Sequence, residues 1–87
     1  MASYKIQWKR SAQKELAVLP KEIIPKVLHV VEQLAENPFP VGVKKLAGTE
    51  QTYRVRVGTY RILYTVASLE LIIEIIRVAH RKDVYRN

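Results

Sequence analysis

The sequence predicts an α+β fold: a helical hairpin packed on a small antiparallel sheet, with elements in the order β-α-α-β-β-β. Three observations predict it. Between Ser11 and Glu36, apolar residues recur at steps of three and four, the spacing of helices buried on one side. Past Gly42 the pattern changes to alternation, as in Tyr53-Arg54-Val55-Arg56-Val57. Gly58-Thr59 then interrupts the alternation with glycine first, as a type II′ hairpin turn requires. Eighty-seven residues make one domain over 1–87, and 48% hydrophobic content is enough for a packed core.

Taken in order, Tyr4 to Lys9 alternates and carries aromatic and branched side chains, so it reads as a strand. Ser11 is an N-cap candidate for a short helix running to about Leu19, with Ala12, Leu16 and Leu19 on its apolar face. Pro20 ends it. Lys21 to Glu36 reads as a longer amphipathic helix, with Ile23, Val27, Val30 or Val31, and Leu34 inward and Pro25 in the first turn, where its missing N–H does no harm. His29 is expected on or near that apolar face. Asn37-Pro38-Phe39-Pro40 stops the helix. The short connection between the helices makes them an αα-hairpin. Val43 to Leu46 reads as a short strand or an extended entry to the sheet. Tyr53–Val57 and Tyr60–Val66 form the hairpin around Gly58-Thr59. Ala67-Ser68 is a second, weaker turn signal, and Leu69 to Val78 the last strand.

Fifteen Lys+Arg against eight Asp+Glu give a formal net charge of +7. The apolar content excludes a disordered polybasic tail, and the absence of cysteine excludes a disulfide scaffold and a Cys-ligated zinc site. No apolar run approaches the roughly 18 residues that span a bilayer, and residues 1–5 show no signal-peptide core. The expectation is a soluble cytoplasmic protein with no membrane role. The charge is segregated. Arg54, Arg56 and Arg61 fall in a stretch without acids, and Arg77, His80, Arg81, Lys82 and Arg86 crowd the C-terminal segment with Asp83 alone among them. That distribution favours a dedicated anion site over a uniformly charged coat.

A two-residue turn at Gly58-Thr59 sets Val57 opposite Tyr60 and Arg56 opposite Arg61. Period-2 geometry then places Arg54, Arg56 and Arg61 on one face with Leu63 and Thr65, and Tyr53, Val55, Val57, Ile62 and Tyr64 on the face toward the helices. On the last strand Leu71, Ile73 and Ile75 form the apolar set, so Glu70 and Glu74 join the arginine face. A tight turn at Ala67-Ser68 would bring Glu74 near Arg61. Like charges facing each other across strands are destabilising. Glu74 would neutralise one of the two guanidinium groups, and a bound phosphate would do so better, since guanidinium forks match phosphate oxygens bidentately.

No paired carboxylates, phosphate-cradling glycine loop or His/Asp/Glu metal cluster is visible, so neither cofactor nor metal is expected. His80, in the basic segment, is the candidate acid or base. Arginines, a histidine and an exposed tyrosine suit metal-independent RNA cleavage. In that reaction the 2′-hydroxyl attacks the adjacent phosphate, guanidinium groups stabilise the developing charge, and an aromatic ring stacks on a base.

The segments Lys14-Glu15-Leu16 with Leu19-Pro20, Asn37-Pro38 and Lys44-Lys45-Leu46-Ala47-Gly48 carry a resemblance, and the stretches from Tyr53 to Tyr64 and from Arg77 to Tyr85 carry it most strongly. Through them the chain resembles the RelE/ParE superfamily of type II toxin–antitoxin toxins, most closely RelE, over nearly its whole length. The resemblance implies the RelE-like microbial RNase fold. It also implies a ribosome-dependent endoribonuclease that cuts mRNA in the A site, inhibits translation and is held inactive by a cognate RelB-like antitoxin. By the same resemblance Arg61 contacts the scissile phosphate, Arg81 sits by the leaving 5′-oxygen and Tyr85 stacks on or orients a base. Arg54 and Arg56 match positions where the best-known RelE pattern has lysines. Arginine keeps the charge there but is a poor proton acceptor, which makes His80 the candidate general base. Lys44, Lys45, Arg77 and Lys82 are expected to contact RNA phosphates. Two other readings share the fold: a ParE-like inhibitor of DNA gyrase, and a module that binds rRNA without chemistry.

Overall fold

A computed structural model describes residues 3–46, 48 and 51–82. The described elements are β1 (Lys5–Trp8), α1 (Arg10–Ala17), α2 (Ile24–Glu36), β2 (Lys44–Lys45), β3 (Thr52–Val57), β4 (Tyr60–Ala67) and β5 (Ile72–His80). They build a five-stranded sheet in the order β1-β5-β4-β3-β2 with the helices on one face. The expected α+β architecture is present with one change of direction. β1 lies parallel to β5, from Lys5 opposite Ile72 to Trp8 opposite Ile75, while the other pairs are antiparallel. Val43–Leu46 resolves into the two-residue strand β2.

Helix α1 begins two residues earlier than a cap at Ser11 would set it. The Lys9 N–H is still bonded to the Ile75 carbonyl at 2.9 Å, and the Lys9 carbonyl already accepts the Gln13 N–H at 3.0 Å. The chain therefore passes from β1 into α1 without a spare residue. Lys9, in extended backbone, is the cap, and Ser11 lies inside the first turn. The helix ends at Ala17 and not near Leu19, and α2 starts at Ile24, with Pro25 in the first turn, and not at Lys21. Val27, Val31 and Leu34 are its buried residues. His29 is about 200° round the helix from Val27, and it is exposed rather than packed.

The covered face holds the core. Ala12, Val27, Val31 and Leu34 meet Val55, Val57, Ile62, Tyr64, Val66, Ile73, Ile75 and Val78. Each fully buried aliphatic side chain contributes about 1.5–3 kcal/mol, so this layer carries the fold. Tyr64 is fully buried, and its hydroxyl donates to the Pro38 carbonyl at 2.6 Å, tying the segment after α2 to the sheet. Burial, with Tyr53 adding a smaller effect, raises the Tyr64 phenol far above its usual value. It therefore stays a hydrogen-bond donor at every physiological pH.

The turn at Gly58-Thr59 is as expected. Gly58 has φ +61° while Thr59 stays at negative φ, and Arg56 faces Arg61 and Val57 faces Tyr60. The second turn differs. Ala67 pairs with Ile72, so the loop is Ser68–Leu71, closed by Leu71 at φ +57°. Leu71 is exposed and outside the core, and Glu70 lies in the loop, off the arginine face. The shift breaks the expected meeting of Arg61 with Glu74: Arg61 faces Ala79, and Glu74 faces Thr65. Four residues along the strand separate those two rows, about 13 Å.

Candidate nucleic-acid interface

The hairpin β3–β4 sets the site. Its register and pleat send Arg54, Arg56, Arg61, Leu63 and Thr65 to the face that the helices leave uncovered. Cross-strand rows follow from the pairing. Lys44, Arg54, Leu63 and Arg77 form one row, and Arg56, Arg61 and Ala79 form the next. Neighbouring rows on one face lie about 7 Å apart, and facing Cβ atoms about 5 Å apart. Arg54, Arg56 and Arg61 therefore form a compact cationic patch at the turn end of the sheet. Arg56 is exposed, and Arg54 and Arg61 are partly so. One Arg61 Nη donates to the Tyr60 carbonyl at 3.3 Å.

A bulge sorts the side chains of β5. Tyr64 pairs with Ile75 but Leu63 pairs with Arg77, leaving Ile76 as an extra residue. Below it Ile73 and Ile75 point into the core; above it Val78 does. Ile76 and Ala79 instead join Leu63 and Leu46 in a small apolar cluster apart from the main core, on the side of the arginines. The step of three from Ile75 to Val78, where a regular strand would step by two, is the sequence signal of this bulge.

Arg81 directly follows β5. Its backbone N–H donates to the Thr59 carbonyl at 2.8 Å, continuing the ladder to the β3–β4 turn. It thus stands two positions on from Ala79, one step beyond the Arg56–Arg61 row, and is exposed. His80 has the opposite parity and falls with Tyr60. Their rings are perpendicular, centroids 5.6 Å apart and 83° between planes, and His80 Nδ1 accepts the Lys82 N–H at 3.2 Å.

The structure thus gathers Arg54, Arg56, Arg61 and Lys44 on one face and anchors Arg81 beside them. It sets Lys45 opposite Tyr53, on the other parity, leaves Lys82 exposed in the turn, and turns Arg77 elsewhere. Arg77 Nε and Nη2 bond the Glu15 carboxylate at 3.2 and 3.1 Å, and the same carboxylate accepts the Val78 N–H at 2.8 Å. Glu15 seals the edge of β5 where β1 has ended, a tertiary role that no local pattern announces. Tyr85 lies outside the described residues. Among those residues no helix is long and apolar enough to cross a membrane.

The arrangement can hold a polyanion. Two guanidinium groups facing each other repel, and a phosphate between them replaces repulsion with bidentate, charge-assisted hydrogen bonds. A cleft of about 440 Å³ lies at the opposite end of the sheet, lined by Phe39, Tyr53, Val66 and Leu69 among others. It holds none of these cations. The candidate site is an open surface, as suits an extended strand of nucleic acid.

Comparison with known proteins bears on the family and the fold. The family model of the ParE toxin of type II toxin–antitoxin systems matches residues 6–85. Toxin RelG of Mycobacterium tuberculosis is 34% identical, covering 95% of this chain and 97% of its own. The archaeal RelE–RelB complex of Pyrococcus horikoshii superposes with TM-score 0.82 at 30% identity, over 94% of this chain and 99% of that one. The toxin–antitoxin complex RelBE2 of M. tuberculosis gives 0.80 at 31%, over 91% and 99%. The chain belongs to the RelE/ParE superfamily of type II toxin–antitoxin toxins and stands close to RelE.

Proposed function

We propose that this toxin is an endoribonuclease that cuts mRNA in the ribosomal A site, stops translation there, and is held inactive by a RelB-like antitoxin. The observation that carries the reading is the Arg56–Arg61 pair across the hairpin, with Arg81 anchored to the adjoining turn. In the reaction the 2′-oxygen attacks phosphorus as its proton passes to water, the bond from phosphorus to the 5′-oxygen breaks, and the 5′-oxygen takes up a proton from water. The products are a 2′,3′-cyclic phosphate and a 5′-hydroxyl. Arg61 and Arg56 stabilise the charge that builds on the non-bridging oxygens. Arg81 stabilises the leaving 5′-oxygen, and Arg54 and Lys44 grip flanking phosphates of mRNA or rRNA. Tyr85 stacks on a base. The charge is met by guanidinium groups, so the bond-breaking step asks no metal ion of the toxin. The antitoxin reading rests on the RelE–RelB and RelBE2 complexes, whose toxins are at least 30% identical to this chain.

The ParE name of the matching family model favours a second reading, poisoning of DNA gyrase. Inducing the chain in cells and mapping mRNA ends on ribosomes separates the two. The ribonuclease predicts new ends inside A-site codons. Double-strand DNA breaks with intact mRNA would replace it with the gyrase reading. Stalled but uncut mRNA would leave a module that binds rRNA without chemistry.

A further inference from the structure

We infer that His80 is a positioning residue that carries its proton on Nε2 and holds the turn presenting Arg81, and that it is not the proton acceptor of the site. The inference deepens the ribonuclease reading and, for its kinetic arm, rests on it.

Two observations carry it. The first is a hydrogen bond. His80 Nδ1 lies 3.2 Å from the backbone nitrogen of Lys82. A backbone N–H can only donate, so Nδ1 accepts with its lone pair and holds no proton. A neutral imidazole has one N–H, which must then sit on Nε2. In this tautomer neither nitrogen is open to take up the 2′-hydroxyl proton: the Nδ1 lone pair is engaged and Nε2 is a donor. The second observation is placement. The β5 bulge gives His80 the parity of Val78, the core-facing side, and sets it against Tyr60. Arg61 and Ala79 have the other parity. The imidazole and the Arg61 guanidinium therefore stem from opposite faces of the sheet.

The same geometry gives the ring a task. Arg81 lies between two anchored amides: its own N–H bonds the Thr59 carbonyl, and the next N–H bonds His80 Nδ1. The imidazole, braced edge-on against Tyr60, acts as an Asx-type acceptor two residues ahead of the amide it caps. It turns the chain out of the β5 ladder at Arg81 and limits the backbone angles from which that guanidinium projects.

Two measurements test this. Nitrogen-15 spectra of the full chain labelled at histidine read the tautomer directly. In the neutral imidazole an unprotonated Nδ1 and a protonated Nε2 at His80 are expected; a neutral ring with its proton on Nδ1 overturns the inference whatever the chain cleaves. In single-turnover cleavage on programmed ribosomes, His80→Ala is expected to slow the reaction about five- to tenfold, the worth of one lost hydrogen bond. His80→Asn, whose side-chain oxygen can accept the same N–H, recovers most of that loss. If His80→Asn is as slow as His80→Ala, and both fall by about 10²–10⁴-fold, His80 is the base and the inference fails. A wild-type chain that cuts no RNA would sink the ribonuclease reading alone, and the tautomer would still decide what His80 does.

Discussion

The two faces of the β3–β4 hairpin are built from the same strands and could hardly differ more. Val55, Val57, Ile62 and Tyr64 point toward the helices and are buried. Arg54, Arg56 and Arg61, interleaved with them, point away and are exposed or partly so. One face removes apolar surface from water. The other brings like charges together, which costs stability unless an anion joins them. Neighbouring residues thus serve opposite ends, and the period of two keeps them apart. Stability and anion binding should therefore separate cleanly under mutation, although the residues responsible alternate from Arg54 to Val57 along β3.

The sharpest way to test that separation is to mutate two adjacent residues. Arg61→Ala is expected to lower single-turnover RNA cleavage by about 10²–10³-fold while the unfolding free energy changes by no more than about 0.5 kcal/mol. Ile62→Ala, one residue on, is expected to cost about 2–5 kcal/mol in denaturant unfolding, with the remaining folded fraction cleaving at the normal rate. Equal losses of stability from both would break the comparison. A smaller effect is expected at Glu15. Glu15→Ala strands the Val78 N–H and removes the Arg77–Glu15 ion pair, costing about 1–3 kcal/mol, and hydrogen exchange at Val78 should rise. The smallest is expected at Tyr64. Tyr64→Phe leaves the Pro38 carbonyl without its donor and should cost about 1–2 kcal/mol. Because folding raises the Tyr64 phenol above its unfolded value, its contribution is fully present below about pH 10 and declines as pH rises further. Wild-type stability should fall above pH 10 more steeply than that of Tyr64→Phe.

How much of this is legible in the sequence depends on how local the cause is. Gly58-Thr59 announces the hairpin because glycine accepts the positive φ that the turn demands, and the facing of Arg56 and Arg61 follows by counting. The loop Ser68–Leu71 is not legible, since its left-handed residue is a leucine, which carries no turn signal. That one misplacement moves every partner of β5 and separates Glu74 from Arg61. The parallel pairing of β1 with β5 joins residues 5–8 to 72–75, and its cause is tertiary. Glu15 is the same case: it reads as a surface acid on an amphipathic helix until β5 is seen to need an acceptor at Val78. The bulge lies between, readable from the spacing of Ile73, Ile75 and Val78 once the core side is known.

The central claim is that the uncovered arginine face performs chemistry on RNA. End-group analysis of mRNA incubated with programmed ribosomes and purified toxin tests it most directly. The account predicts 2′,3′-cyclic phosphate ends with wild-type protein and none with Arg61→Ala protein of unchanged melting temperature. Equal cleavage by the Arg61→Ala protein, or intact RNA under the wild-type protein, would contradict it.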